Sequence, residues 1–287
     1  TFCLRDSRHF KKLNMYRLWH LMTILGISAG VRQRNPKVKI ACVGDSITAG
    51  FPFDSSRGNA PEVSGYPWHL QQILGPETHE VVNFGKGETT VIPGSKSYES
   101  SWYNATLEKA IEFKPEIVLL MFGANDVKEN RLKKFYGDFD DAYAKLIGRF
   151  QGKGDFPGIY LLIPPPMYDN DIYGPEFRPP GRAGGMQQDV YNQLLPKKLR
   201  KIAQQTEVKV IDLPSCFLKH ASCEDVTVNC CDWEARKPPK RRGDVEVLAA
   251  SSACAAHEDA IHPNDEGYKN IAEMVKRVIL DGSPPCQ

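Results

Sequence analysis

A serine stands directly after the first apolar, β-branched run of the chain. The run spans Val38 to Val43, and the segment Gly44-Asp45-Ser46-Ile47-Thr48 follows it at once. A tight turn from a strand into a helix exposes the side chain that it carries, so the Ser46 hydroxyl is a candidate nucleophile. A serine hydroxyl attacks a carbonyl only when a neighbouring base removes its proton. Alone, the segment is equally typical of an ordinary turn with an N-cap.

A candidate base lies near the other end of the chain. Asp259 and His262 stand three positions apart in Asp259-Ala260-Ile261-His262-Pro263-Asn264, just before the last helical pattern. At this spacing the carboxylate can hold the imidazole Nδ1 proton, which leaves Nε2 free to accept a proton from a serine. The alternative is a plain helix start in which Asn264 caps the first turn and His262 faces solvent.

Glycine and asparagine follow the next two apolar runs. One segment is Asn83-Phe84-Gly85-Lys86-Gly87-Glu88-Thr89, and the other is Gly123-Ala124-Asn125-Asp126. Attack on an ester creates an oxyanion, which needs hydrogen-bond donors that are already in place. A glycine N–H and the Asn125 amide can supply them together with the N–H of Ser46. Each segment alone also fits a simple turn.

Five apolar runs predict the elements that position these residues. They are Val38–Val43, Val81–Phe84, Ile117–Phe122, Ile159–Ile163 and Val208–Leu213. The runs are continuous, as in parallel strands covered on both faces, and helical patterns lie between them. We therefore predict an α/β fold, a doubly wound, flavodoxin-like, five-stranded parallel sheet with helices on both faces. Ligands bind outside the carboxyl ends of such strands, where the candidate residues lie.

Two helical stripes and one irregular segment complete this prediction. Apolar residues recur at helical spacing over residues 139–150 and again over 268–279. The segment 164–185, after the fourth strand, is rich in proline and glycine. Such a segment is typical of an irregular loop, and its position predicts that it borders the site.

Together, the four chemistry-bearing segments resemble the SGNH (GDSL-like) hydrolase family, whose named residues are a serine, a glycine, an asparagine and a histidine in this order. The resemblance spans roughly residues 37 to 280. It implies the SGNH hydrolase fold, with Ser46 as nucleophile, His262 as base and Asp259 as its orienting carboxylate. It also implies an oxyanion hole formed by Ser46, Gly87 and Asn125, with Gly85 as the alternative glycine. No metal or organic cofactor is implied.

A narrower resemblance is to sialate O-acetylesterases and acetylxylan esterases. Three segments carry it: Asn83-Phe84-Gly85, Phe122-Gly123-Ala124-Asn125-Asp126 and Ile163-Pro164-Pro165-Pro166. It implies a serine esterase for short-chain, acetyl esters on carbohydrate. The alternatives are a lipid-directed member, such as a lysophospholipase or thioesterase, and a catalytically inactive binding module. A flavodoxin-like nucleotide binder fits the sheet, but the first strand lacks a glycine-rich phosphate loop.

Composition and charge predict an ordinary globular protein. Of its 287 residues, 41% are hydrophobic and 25% are charged, and the formal net charge is +2. Such a charge creates no field that would gather nucleic acid or a membrane surface. We therefore expect a small-molecule or glycan ester as the partner and no nucleic acid. We also expect no stable membrane span, because the apolar run Leu18–Val31 is short and interrupted.

Residues 1–36 are predicted to be a leader or N-terminal extension. Arg17, the apolar run Leu18–Val31 and small residues near its end are typical of a secretory signal peptide. An amphipathic helix packed on the domain is the alternative. Residues 37–287 then form the hydrolase domain, with a cysteine-rich insertion at about 214–258.

The cysteines, like the signal-like leader, indicate a secreted protein. Six of the eight lie late in the chain, at Cys216, Cys223, Cys230, Cys231, Cys254 and Cys286. In a secreted protein this even set predicts disulfides of undetermined pairing, whereas a zinc site would need paired ligand spacings that are missing, although His220 and His257 lie nearby. Cys42, inside a strand pattern, is predicted to be a buried free thiol. We therefore expect a secreted or extracytoplasmic location.

Overall fold

The computed structural model describes residues 36–51, 60–93, 106–151, 158–166, 185–187, 189–214 and 261–284. From Lys37 onward the described residues belong to one compact unit. The leader, Asp259 and the six late cysteines lie outside the described residues, as do nearly all of the loop after the fourth strand and of the insertion. The predictions that concern them therefore stay predictions, as do the domain boundaries.

Five parallel strands form one sheet in the order β2-β1-β3-β4-β5. They are β1 (Val38–Gly44), β2 (His79–Gly85), β3 (Ile117–Met121), β4 (Gly158–Ile163) and β5 (Lys209–Asp212). This is the strand order of flavodoxin-like doubly wound sheets, so the predicted fold class is confirmed. The strand ends differ from the predicted ones by no more than two residues.

The inner strands are buried, which explains their unbroken apolar sequence. In β1 the side chains of Ile40, Ala41, Cys42 and Val43 are all fully buried. Successive side chains of a strand point to opposite faces, so both faces of this strand are covered. Cys42 is a free, buried thiol, as predicted.

Six α-helices lie among the described residues, and four of them pack in two pairs. They are α1 (Ser46–Ala49), α2 (Gly65–Leu74), α3 (Leu107–Glu112), α4 (Leu132–Gln151), α5 (Leu195–Thr206) and α6 (Asp265–Lys276). Helix α2 packs against α6, and α4 packs against α5. The connection through α2 leads from β1 towards one edge of the sheet, and those through α4 and α5 lead towards the other. Because such crossovers are right-handed, the two pairs cover opposite faces.

Both predicted helical stripes are confirmed. The stripe over 139–150 lies within α4, whose buried residues include Phe139, Tyr143 and Phe150. The stripe over 268–279 lies on α6 and on the π-helical turn Arg277–Asp281 that follows it. Helices α2, α3 and α5 had no explicit prediction beyond the helical patterns between strands.

The carboxyl ends of β2, β1 and β3 are in register. Gly44 pairs with Gly85 on one side and with Met121 on the other. A Cβ on Gly44 would lie 2.0 Å from Thr48 Oγ1, and one on Gly85 would lie 2.2 Å from the backbone nitrogen of Ala49. Bare backbone at both positions therefore allows α1 to start directly over these two strand ends.

Candidate active site

Ser46 is the first residue of α1, immediately past β1. The N-cap role belongs to its neighbour Asp45, whose buried carboxylate accepts a hydrogen bond from the Ile47 N–H at 3.0 Å. Gly50 is the C-cap of the helix and has φ +90°, and a Cβ there would lie 2.4 Å from the Gly65 nitrogen. The predicted strand-turn-helix is therefore present, and both of its ends are fixed. Because the Asp45 side chain caps the helix, the Ser46 hydroxyl is not needed for capping.

The structure brings Ser46 and His262 together. Their Oγ and Nε2 atoms are 2.7 Å apart although 216 positions separate the residues in sequence. This contact lets the imidazole accept the serine proton. Asn264 caps α6, and its Oδ1 accepts a hydrogen bond from the Gly267 N–H at 2.8 Å. The alternative prediction of a plain helix start is therefore right about the Asn264 cap. It is wrong about His262, which contacts Ser46 instead of facing only solvent.

A side-chain contact between α2 and α6 holds the segment next to His262 in place. His69 Nε2, on α2, lies 2.8 Å from Asp265 Oδ1 at the first residue of α6. His69 is buried, so this contact joins a core position to the start of the helix. Sequence reasoning missed this pair, because no local pattern connects residues this far apart. Asp259, the predicted partner of the imidazole, lies outside the described residues.

Asn125 lies four residues after the end of β3, on the same edge of the sheet as Ser46. Its side chain is 3% exposed, and Nδ2 donates a hydrogen bond to the Thr89 carbonyl at 3.1 Å. A primary amide carries a second N–H, which can serve an oxyanion while the first holds the side chain in place. The position therefore fits the predicted donor.

Gly85, the last residue of β2, and Gly87, in the loop after it, lie in different surroundings. The Gly85 N–H donates to Asn83 Oδ1 at 2.9 Å, and the Lys86 N–H donates to the Gly44 carbonyl at 3.0 Å. A Cβ on Gly87 would meet nothing within 4 Å. The Gly85 N–H is therefore occupied and packing requires that glycine, whereas nothing in the packing requires Gly87. A bare backbone that faces open space suits the close approach of a ligand.

Two residues that sequence reasoning did not assign hold the loops after β2 and β3 together. The Asp126 carboxylate accepts hydrogen bonds from the backbone N–H groups of Val91 and Ile92, both at 3.1 Å. Arg131 donates from Nη1 to the Asn125 carbonyl at 3.0 Å. Asp126 stands in the recognised motif, but its partners lie 35 and 34 positions away, so the sequence alone does not indicate this role.

Burial sets the electrostatics of the two carboxylates. Burial raises the pKa of Asp45 to about 6, although the Ile47 N–H and the nearby His262 act in the opposite direction. It raises the pKa of Asp126 to about 7 against the two backbone hydrogen bonds that stabilise its charge. Both acids therefore hold their protons at higher pH than an exposed aspartate does.

Metal and membrane features are absent from the described part of the chain. Within it, no group of three or more His, Cys, Asp or Glu side chains could hold a metal ion. None of its helices is long and apolar enough to cross a membrane.

Comparison with known proteins places these residues in a family. The family model described as GDSL-like Lipase/Acylhydrolase matches residues 40–275. An acetylxylan esterase of Xylanibacter ruminicola is 25% identical over 259 residues, which cover 84% of this chain and 43% of that relative. The chain therefore spans less than half the length of this curated relative.

Solved structures share the fold at low identity. A lipase/acylhydrolase from Enterococcus faecalis matches with a TM-score of 0.53 and 20% identity, over 87% of this chain and 99% of that one. A carbohydrate acetylesterase family member from Sinorhizobium meliloti gives 0.52 and 18%, over 85% and 99%. A catalytic mutant of an acetylxylan esterase from Geobacillus stearothermophilus gives 0.51 and 18%, over 88% and 99%. The fold and the family model confirm the predicted resemblance: the chain belongs to the GDSL-like lipase/acylhydrolase family.

Proposed function

We propose that this chain is a serine esterase that removes short acyl groups, above all acetyl, from carbohydrate. The observation that carries the proposal is the 2.7 Å contact between Ser46 Oγ and His262 Nε2 at the carboxyl end of β1. A hydroxyl and an imidazole in hydrogen-bond contact, beside two loops that offer N–H donors, suit acyl transfer through a covalent intermediate.

In the first half-reaction His262 Nε2 takes the Ser46 proton while Oγ bonds to the ester carbonyl carbon. The electron pair of the C=O bond moves to oxygen, and the N–H groups of Ser46 and Gly87 and the Asn125 amide receive this oxyanion. When the tetrahedral intermediate collapses, the bond to the alcohol oxygen breaks and Nε2 returns its proton to that oxygen. The products are the free alcohol and the acylated Ser46.

Water completes the cycle by the same steps. His262 takes a proton from the water, the water oxygen bonds to the acyl carbon, and Oγ leaves and recovers the proton. Asp259 is assigned the task of holding the Nδ1 proton, which keeps the imidazole in the tautomer that both half-reactions need.

The assignment of acetylated carbohydrate has two supports. The first is the resemblance of the motif segments to acetylxylan esterases, together with the 25% identity to one curated member. The second is that the exposed large apolar side chains among the described residues are Phe51, Tyr136 and Leu280, each on a different segment. A long acyl chain needs a sizeable apolar surface, and the described residues expose only these three large apolar side chains.

An acyl series tests the proposal. Nitrophenyl acetate, butyrate and octanoate are compared with acetylated xylan and acetylated sialic acid, using wild-type protein and Ser46→Ala. Each methylene buried in an apolar tunnel would add about 0.8 kcal/mol, so kcat/KM rises along the series for a lipid esterase and falls for an acetylesterase. We expect it to fall, acetate to be released from at least one carbohydrate, and Ser46→Ala to be inactive.

Two variants test the assigned partners of Ser46. His262→Ala should lose nearly all activity, because nucleophile and base act as a unit. Asp259→Asn should be badly impaired, since the imidazole loses the group that fixes its tautomer. A rise towards octanoate with no acetate from carbohydrate would favour the lipid-directed alternative, and hydrolysis by Ser46→Ala equal to wild type would refute the mechanism.

A further inference from the structure

Phe51 is fixed between the helix of the candidate nucleophile and the helix that follows the candidate base. Its backbone N–H donates a hydrogen bond to the Ser46 carbonyl at 3.0 Å. Its own carbonyl accepts one from the Tyr268 hydroxyl, on α6, at 2.5 Å. Both backbone groups of Phe51 are therefore held by elements that form the site.

The Phe51 ring lies against His262. The two ring centroids are 4.8 Å apart, with an interplanar angle of 65°, so the contact is edge-to-face. The side chain is nevertheless 43% exposed. An apolar side chain whose ring contacts His262 is in position to contact a substrate that reaches the imidazole.

The chemistry fixes which part of the substrate comes to this imidazole. In the proposed mechanism Nε2 returns its proton to the leaving alcohol oxygen, so that oxygen must come within hydrogen-bond distance of His262. The acyl carbon and oxyanion instead face Ser46 and the loops that carry Gly87 and Asn125. A surface on the flank of His262 therefore borders the alcohol and not the acyl group.

We propose that the Phe51 ring is the contact surface for the alcohol part of the ester, and that it selects alcohols with a flat apolar face, such as a pyranose ring, over small alkyl alcohols. The face of a phenyl ring is electron-rich, and the C–H groups on one face of a pyranose are its natural complement. This inference rests on the proposed function and adds to it a residue that distinguishes between alcohols.

Esters that share the acetyl group but differ in the alcohol test this assignment. The substrates are acetylated methyl xyloside and ethyl acetate, and the variants are Phe51→Ala, Phe51→Leu and Phe51→Tyr. Leucine keeps an apolar contact with His262 but removes the flat face, whereas tyrosine keeps the face. We expect Phe51→Ala and Phe51→Leu to lower kcat/KM for the xyloside ester about three- to tenfold, the scale of one aromatic contact, and to change that for ethyl acetate less than about twofold. Phe51→Tyr should retain both.

A second measurement separates recognition from mere support of His262. The acetyl-enzyme divides between water, methanol and methyl xyloside, and the products are counted by mass spectrometry. A packing defect slows all three transfers together, so the ratio of xyloside to methanol transfer stays constant. We expect Phe51→Leu to lower this ratio. Leu280→Ala, which truncates an exposed apolar residue past the far end of α6, is the control and should leave it unchanged.

The outcomes distinguish the two proposals. Equal losses for both esters with an unchanged transfer ratio would overturn the role of Phe51, while activity that depends on Ser46 would leave the esterase proposal intact. If no hydrolysis depended on Ser46, the esterase proposal would fail and the role of Phe51 with it.

Discussion

At the scale of single residues, the candidate site contains side chains that we propose to react and side chains that hold them in place. Ser46 and His262 meet through their reactive atoms. Asn125 is held by one N–H on the Thr89 carbonyl, and its backbone carbonyl is held by Arg131. Donors that are fixed before the reaction need no reorganisation when charge develops, which is the basis of oxyanion stabilisation.

Asn125→Ala measures the contribution of this amide. It should lower kcat by roughly 10² to 10³, the scale found for one oxyanion donor, with a smaller change in KM. Steady-state kinetics on nitrophenyl acetate give both constants. Thermal unfolding of the same variant serves as the control, because the lost bond to Thr89 also affects the loop. An effect confined to KM would contradict the assignment.

At the scale of elements, the close packing of α1 over the strand ends explains why glycines surround the serine. Gly44 and Gly85 lie under α1, where a Cβ would overlap its atoms. Gly50 turns the chain out of the helix with a positive φ, against Gly65 at the start of α2. The glycines thus have two physical roles: Gly44 and Gly85 leave room for α1, and Gly50 supplies a positive φ. Only the structure shows that a Cβ would clash at Gly85 and meet nothing at Gly87.

Gly85→Ala and Gly87→Ala form a matched pair that tests this distinction. The Gly85 Cβ would lie 2.2 Å from the Ala49 nitrogen, so we expect a loss of about 1–3 kcal/mol in the free energy of unfolding. The Gly87 Cβ meets nothing within 4 Å, so Gly87→Ala should unfold at nearly the wild-type temperature. Differential scanning calorimetry compares the two. Equal stability of both variants would show that α1 can move away from β2.

At the scale of the whole molecule, the sequence predicted the sheet well because buried parallel strands are continuous apolar runs. Ile40, Ala41, Cys42 and Val43 illustrate this, since burial on both faces leaves no polar position to interrupt them. The residues that follow strands were also predictable, because strand order places them at one edge. The contacts His69–Asp265 and Asp126–Val91 were not, since they depend on the packing of helices and loops that carry no local signal.

The six late cysteines lie outside the described residues, so their oxidation state stays a prediction. We expect Cys216, Cys223, Cys230, Cys231, Cys254 and Cys286 to be oxidised in pairs, because their number is even and the leader resembles a secretory signal. Mass spectrometry of unreduced, alkylated protein counts the free thiols. Cys42 is the internal control, since it should remain a thiol and react only after unfolding. Six labelled late cysteines without reductant would argue against both the disulfides and the secreted location.

The buried carboxylates of Asp45 and Asp126 make the free energy of unfolding depend on pH, and a variant of Asp126 can test this. Folding raises the pKa of Asp45 from 3.8 to about 6 and that of Asp126 from 3.8 to about 7. Between these limits the folded state binds more protons than the unfolded state, so these two groups lower the free energy of unfolding as pH rises from about 4 to about 7. Above that range both states are ionised at these groups, and their contribution becomes constant.

Asp126→Asn isolates one of the two groups. The variant keeps an oxygen that can accept only one of the Val91 and Ile92 hydrogen bonds well, so it should be less stable than wild type at pH 4.5. It cannot ionise, so it escapes the decline that wild type undergoes, and its stability relative to wild type should rise up to about pH 7 and then level. Urea unfolding at intervals of half a pH unit measures this difference, and titrating groups that do not interact with Asp126 cancel because both proteins share them. A difference that is flat, or that falls with pH, would mean that Asp126 is ionised in the folded protein throughout the range.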